Sequence, residues 1–291
     1  MKIVAAACCN IRDVNPQPAW AEIRAEHPDA LLLLGDNVYL QHDDHGAPDA
    51  LAAELAALYA RQFAEPDFAA VVADLRSRGG ELIAIYDDHD FLGNNRYGAD
   101  ASPALRLAAR NAFITAFAPA MTGEDVYRVH RLGLVDLVVL DGRFHRAAPA
   151  ADRDNPDALL GAAQWAWLES TVAESTSRYL LVASATTLHA FGDQSWEHYP
   201  AAFRRMAALL RGRAGALLVS GDVHRNAAYD ESGVIEIVTS GVAHRGRAFG
   251  GLRKNYGVLT FDDTALHVEL RSLKVGSRFA FSIPRSQWRL P

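Results

Sequence analysis

Cysteine is scarce in this 291-residue chain: there are two, and they are neighbours, Cys8 and Cys9. Adjacent thiols cannot tie distant segments together, so a small disulfide-framed module is excluded. Positive charge is also in short supply. The 29 Lys and Arg stand against 35 Asp and Glu, a formal net charge of −6. No basic footprint marks a nucleic-acid-binding surface. No apolar run approaches the roughly 20 residues that span a bilayer, so no membrane association is expected. The stretch Ile3–Cys9 after Lys2 is too short for a secretory leader, and the charged segment from Arg12 follows at once. We read it as a first buried strand and expect a cytoplasmic protein. Three catalytic signatures are also missing: the Gly-x-Ser-x-Gly elbow of serine hydrolases, the phosphate loop of nucleotide hydrolases and the His-x-His-x-Asp-His of metallo-β-lactamases.

What remains is an ordinary globular composition, 50% hydrophobic and 22% charged, with no linker, low-complexity stretch or repeat. A single domain over residues 1–291 is expected. Short apolar runs read as buried strands at Lys2–Ala7, Ala30–Leu34, Leu82–Tyr86, Leu134–Leu140, Tyr179–Ser184 and Ala216–Ser220. Between them, Ala19–Glu26, Asp49–Phe63, Pro103–Phe117, Ala162–Glu174 and Ala201–Leu210 carry helical patterns. From Val223 onward the helices stop. Ala227–Tyr229, Val234–Thr239, Tyr256–Phe261, Leu266–Leu270 and Phe279–Ile283 read as successive strands, with Asp262-Asp263 as a hairpin turn. The fold class is α/β, with helices covering mixed sheets.

The polar residues collect at one kind of place. Leu31–Leu34 runs into Gly35-Asp36-Asn37-Val38-Tyr39, and Ile83–Tyr86 into Asp87-Asp88-His89-Asp90. Val138–Leu140 runs into Asp141-Gly142-Arg143, and Leu217–Ser220 into Gly221-Asp222-Val223-His224. The first strand ends at Cys8-Cys9-Asn10. Each cluster lies just past a strand end, the edge where α/β sheets assemble their sites. Five carboxylates meeting there, Asp36, Asp87, Asp88, Asp90 and Asp222, would repel one another, and multivalent cations are the simplest remedy. A thiolate, phenolate, imidazole and carboxylate together suit a trivalent ion such as ferric iron. Carboxylate and amide oxygens alone suit calcium, magnesium or manganese. The sequence offers both kinds.

This ordered set of motifs, with Asn94 and Leu160-Gly161-Ala162-Ala163-Gln164-Trp165, resembles the alkaline phosphatase D (PhoD-like) branch of the calcineurin-like metallophosphoesterases. The resemblance implies a four-layer αββα sandwich of two mixed sheets and hydrolysis of phosphate mono- or diesters. It implies a dinuclear centre, Fe3+ with Ca2+, with Mn2+, Zn2+ or Mg2+ as alternatives, and a hydroxide bridging the two metals as the nucleophile. Position by position, Cys9, Asp36, Tyr39 and His224 correspond to ligands of the iron-like metal, with Asp36 bridging. Asp88, Asn94 and Asp222 correspond to ligands of the second. Whether Asp87 or Asp88 is the ligand stays open. His89, beside Asp88, is the expected proton donor to the leaving alkoxide. Arg143, with Arg96 as the alternative, is the expected phosphate-oxygen contact. The partner is a small phosphoester; the competing reading is a phosphoester- or nucleotide-binding protein that kept the fold and lost turnover.

Other residues receive plainer readings. Cys8, Trp165 and Trp167 are expected in the core, and Asp141 in a structural salt bridge with Arg143 or Arg146. His189 either lines the pocket or is a polar loop histidine. His42 and His45 read as a solvated loop rather than a third metal site. Trp196-Glu197-His198-Tyr199 is expected at the pocket rim.

Overall fold

The computed structural model describes residues 1–41, 46–117, 125–189, 194–230, 232–244, 254–273 and 278–290. His42 and His45 lie outside the described residues. The strands are β1 (Lys2–Ala6), β2 (Ala30–Leu34), β3 (Glu81–Ile85), β4 (Arg128–Leu132), β5 (Val135–Val139), β6 (Tyr179–Ser184), β7 (Ala216–Ser220), β8 (Ala227–Tyr229), β9 (Ile235–Val238), β10 (Asn255–Phe261), β11 (Ala265–Ser272) and β12 (Arg278–Pro284). The helices are α1 (Ala19–Ala25), α2 (Pro48–Phe63), α3 (Pro66–Ser77), α4 (Pro103–Phe117), α5 (Ala162–Glu174) and α6 (Pro200–Arg211).

Two six-stranded sheets result, ordered β12-β11-β10-β1-β2-β3 and β4-β5-β6-β7-β9-β8. In the first, β1, β2 and β3 run parallel and the remaining pairs antiparallel. In the second, β5, β6, β7 and β9 run parallel, and both edge strands are antiparallel. Period-two alternation shows how the layers stack. Ile3, Ala5 and Ala7 pack in one cluster with Leu137, Leu181 and Leu217 of the other sheet. Val4 and Ala6 face the opposite way, onto Trp20, Leu55 and Phe68 of α1–α3. Val138, Val182 and Leu218 meet Trp165 and Leu168 of α5 and Met206 of α6. The layers are therefore helix, sheet, sheet, helix, as the resemblance implies. Each fully buried large apolar side chain contributes roughly 1.5–3 kcal/mol, which explains why the parallel strands read as unbroken apolar runs. Among the described residues no helix is long and apolar enough to cross a membrane.

Two elements go beyond the expected pattern. Helix α3 starts at Pro66 and is capped by Glu65, whose side chain accepts the Phe68 N–H. Its buried Phe68, Val71, Val72 and Leu75 keep helical spacing. Strand β4 pairs antiparallel with β5 through a turn at Gly133, which has φ +62°; its mostly polar sequence conceals it, as suits a sheet edge. The β10–β11 turn is shifted by one residue from the expected Asp262-Asp263: the Asp262 N–H donates to Ala265 O, leaving Asp263 and Thr264 at the tip. Phe261 pairs with Leu266, and Asp262 Oδ1 accepts the Thr264 and Ala265 N–H groups.

Candidate active site

Parallel pairing in register puts the ends of β1, β2 and β3 at one edge, and β7 delivers its own end beside them. The Cys8 and Cys9 N–H groups donate to Gly35 O and Asp36 O. From the other sheet, Gly241 and Val242 donate to Ala7 O, and Ala243 to Cys8 O. The approach is close enough to demand glycine: a Cβ on Gly35, at φ +92°, would sit 2.6 Å from Asp87 Cβ. Six described non-glycine residues have positive φ, and four are here: Cys8, Asp36, Asp222 and His224. Left-handed backbone costs an L-residue free energy and persists where the surroundings impose it, which is a mark of functional sites.

Asp36 is the hub. Its Oδ2 accepts Tyr39 OH at 3.0 Å and lies 3.5 Å from Cys8 Sγ, while Oδ1 accepts the His89 N–H at 3.3 Å. Tyr39 OH is also 3.4 Å from His224 Nε2. One ligand atom each from Cys8, Asp36 and His224 lie within 4.8 Å of one another, and so do one each from Asp36, Asp88 and His89. The His89 ring, half-buried, stacks on Tyr39 with centroids 4.2 Å apart. Burial, then the neighbouring Asp88 and Asp87, pushes the Asp36 carboxyl well above its ordinary range. Burial with Asp87 and Asp88 pushes Asp222 up to about 8. Burial, with His244 and His89 nearby, pushes His224 down to about 3. The Cys8 and Tyr39 protons are likewise held more tightly, first by burial and then by Asp36. Asp36 and Asp222 are raised chiefly by burial and by the other carboxylates, so these two carboxyls lack a compensating positive charge. His224 Nδ1 and Asp87 Oδ2 are buried without a hydrogen-bond partner among the described residues. Thiol, phenol, imidazole and carboxylate donors arranged this way fit metal ions.

A family model for PhoD-like phosphatases matches residues 3–254. The chain belongs to the PhoD-like phosphatase family. It is a hydrolase of phosphoric ester bonds, and the family and its fold imply metal ions. Among solved structures, one described as the structure of PhoD is similar over 100% of this chain and 71% of its own, with a TM-score of 0.73 and 18% identity. GAP50 of Plasmodium, described as an anchor in the inner membrane complex, is similar over 100% of this chain and 89% of its own, with a TM-score of 0.57 and 11% identity. At these identities the likeness is one of fold. No curated protein matches the sequence.

In this PhoD-like phosphatase the two cysteines sit differently from the expectation. The Cys8 thiol joins Asp36 and His224, with Ser240 Oγ 3.1 Å away, whereas Cys9 packs in the apolar cluster beneath α1–α4. Alternation along β1 would turn residue 9 inward with Ala7. The left-handed turn at Cys8 reverses that parity. Asp87 and Asp88 are placed differently. Asp88 lies with Asp36 and His89, while Asp87 Oδ1 accepts Arg143 Nε. Burial alone would raise Asp88, but Arg143 and His89 outweigh it and hold it below the usual carboxylate range. Asp90 is turned away from the cluster. Its carboxylate accepts the backbone N–H groups of Asp36, Asn37 and Asp87 and so ties the β2 and β3 ends together.

Arg143 is fully buried, donates to Gln194 Oε1, and keeps Nη2 3.8 Å from Asp88 Oδ2. Asp141 forms no bridge to either arginine; it accepts Tyr86 OH and the N–H groups of Arg143 and Phe144, and Gln164 brackets its backbone. Asn94 and Arg96 are exposed on the turn whose neighbouring Asn95 N–H reaches Asp88 Oδ2. The aromatic rim expectation fails. Trp196 and Tyr199 are fully buried, the indole donating to Ser184 Oγ and the phenol to Ala147 O, because short turns fold these rings under α6. His189 is buried against Glu236, far from a loop histidine in solvent. Sequence reasoning missed His244, whose ring stacks on His224 at 3.8 Å, and Ser240, which accepts the His224 N–H. Neither sits in a motif, so no local pattern announces them.

Proposed function

We propose that this chain hydrolyses small phosphate mono- or diesters at a centre of two metal ions that share Asp36. The observation that carries this is the membership of Asp36 in both donor groups. Cys8, Tyr39 and His224 would hold the iron-like ion with it. Asp88 and Asp222, with Asn94 on the adjoining turn, would hold the second, calcium by donor type. Manganese, zinc or magnesium are the alternatives. When bound, such ions polarise phosphoryl oxygens and make water nucleophilic near neutral pH.

The chain's own groups do the rest. Tyr39 and Cys8 orient Asp36 from one side, and the His89 N–H holds it from the other. The His89 imidazole, half-buried and stacked on Tyr39, is placed to hand a proton to the leaving alkoxide. Arg143 acts as a positioning residue, its buried guanidinium fixing Asp87 and lying beside Asp88. The test assays bis-p-nitrophenyl phosphate and p-nitrophenyl phosphate with metals quantified in the same sample. Turnover that scales with bound metal is expected. Two bound metals with no hydrolysis of any ester would support the non-catalytic binder instead.

A further inference from the structure

A second set of chemically competent side chains lies outside the phosphoesterase site. His189, in the turn after β6, is 1% exposed. Its Nδ1 lies 2.9 Å from Glu236 Oε2 and its Nε2 2.7 Å from Ser232 Oγ. Glu236, in mid-β9, has no exposed surface. The protons can be placed by counting. Glu236 Oε2 also accepts the His189 N–H, and Oε1 accepts the Leu188 N–H and the Ser220 hydroxyl. The Leu188 and His189 N–H groups and the Ser220 hydroxyl converge on this one acceptor carboxylate, and Nδ1 of His189 is assigned as its fourth donor. Nε2 is then left with its lone pair, and the Ser232 hydroxyl is the donor to it. The rings of Phe203 and Tyr229 flank the imidazole and limit its rotation. Ser232 itself is half-buried, on the turn between β8 and β9, so a reagent can reach it.

We infer that Ser232, His189 and Glu236 form a serine–histidine–carboxylate relay that makes Ser232 a nucleophile toward carboxylic esters. Such relays are recognised by geometry rather than sequence order, and the absence of Gly-x-Ser-x-Gly does not bear on this one. In the reaction, Ser232 Oγ bonds to the acyl carbon and its proton passes to His189 Nε2. The carbon–oxygen bond to the alcohol breaks, and that alcohol leaves with the proton from His189. Water then cleaves the acyl-serine by the same route reversed, releasing the carboxylic acid. Glu236 acts through His189 by fixing its tautomer.

The test is covalent labelling of the full chain with p-nitrophenyl acetate and with a fluorophosphonate, mapped by peptide mass spectrometry. With the fluorophosphonate, the oxygen–phosphorus bond forms as fluoride leaves. Expected is an adduct on Ser232 in native protein, at least about 100-fold faster than in urea-unfolded protein, and lost in Ser232→Ala and His189→Ala. Phosphoester turnover retained in both variants shows that they are folded. No Ser232 adduct, or one formed equally fast in folded His189→Ala, overturns the relay. Should His189→Ala fail to fold, His189→Gln, which fits the same space without the imidazole, carries the test.

Discussion

Two neighbouring strands carry buried carboxylates that are satisfied in opposite ways. Glu236 in β9 meets four hydrogen-bond donors and needs no counter-ion. Asp222, just past β7, faces Asp87 and Asp88, and with burial they raise it to about 8. Asp36 across the cleft is raised by the same neighbours. The first arrangement is complete within the polypeptide. The second sets carboxylates against one another, an arrangement that a bound cation would relieve.

The sharpest way to break this comparison is Asp36→Ala. Removing the shared carboxylate should lower phosphoester turnover by roughly 10³-fold or more and reduce bound metal, measured by elemental analysis. Undiminished metal content would remove Asp36 from the centre. Glu236→Ala should act on stability instead. Stranding buried donors costs about 3–5 kcal/mol, read from urea midpoints, with metal content per folded molecule unchanged. His89→Ala comes next: about 10²–10³ slower turnover with both metals retained. Normal turnover would show that His89 moves no proton. The cysteines give a paired contrast. Cys8→Ala should change metal content and any visible phenolate-to-iron band, whereas Cys9→Ala should cost only about 1 kcal/mol of packing; the reverse outcome would restore Cys9 as the ligand.

The smallest effect is in pH. Asp222 is raised from 3.8 to about 8, so its contribution to the stability of metal-free protein is full below pH 3.8 and lost as pH rises toward 8. His224, lowered from 6.5 to about 3, contributes above pH 6.5 and loses its contribution as pH falls toward 3. Between pH 6.5 and 8 only the Asp222 trend operates between these two. Metal-free protein should therefore melt at progressively lower temperature across that window. Added metal should flatten the slope, and a flat metal-free profile would mean that Asp222 is ionised without help.

Much of the site was legible because strand ends and acidic motifs coincide in the chain: Asp36, Tyr39, Asp88, His89 and His224 each follow an apolar run and meet in space. The aromatic segment 196–199 was misread because loop position says little about burial once a helix closes over it. Helix α3 was within reach, since Phe68, Val71, Val72 and Leu75 keep a helical period. Strand β4 was not, because an edge strand exposes its polar residues and loses its alternation.

The sequence by itself determined the alternation of buried strands and amphipathic helices, and hence mixed sheets with carboxylates at the strand ends. It did so because burial period and strand-end position are local properties of the chain. Tertiary structure alone decided which cysteine faces Asp36, that His244 and Ser240 belong beside His224, and that His189 meets both Glu236 and Ser232. Those contacts depend on left-handed residues that reverse the parity of a strand, and on turns that bring together positions more than forty residues apart.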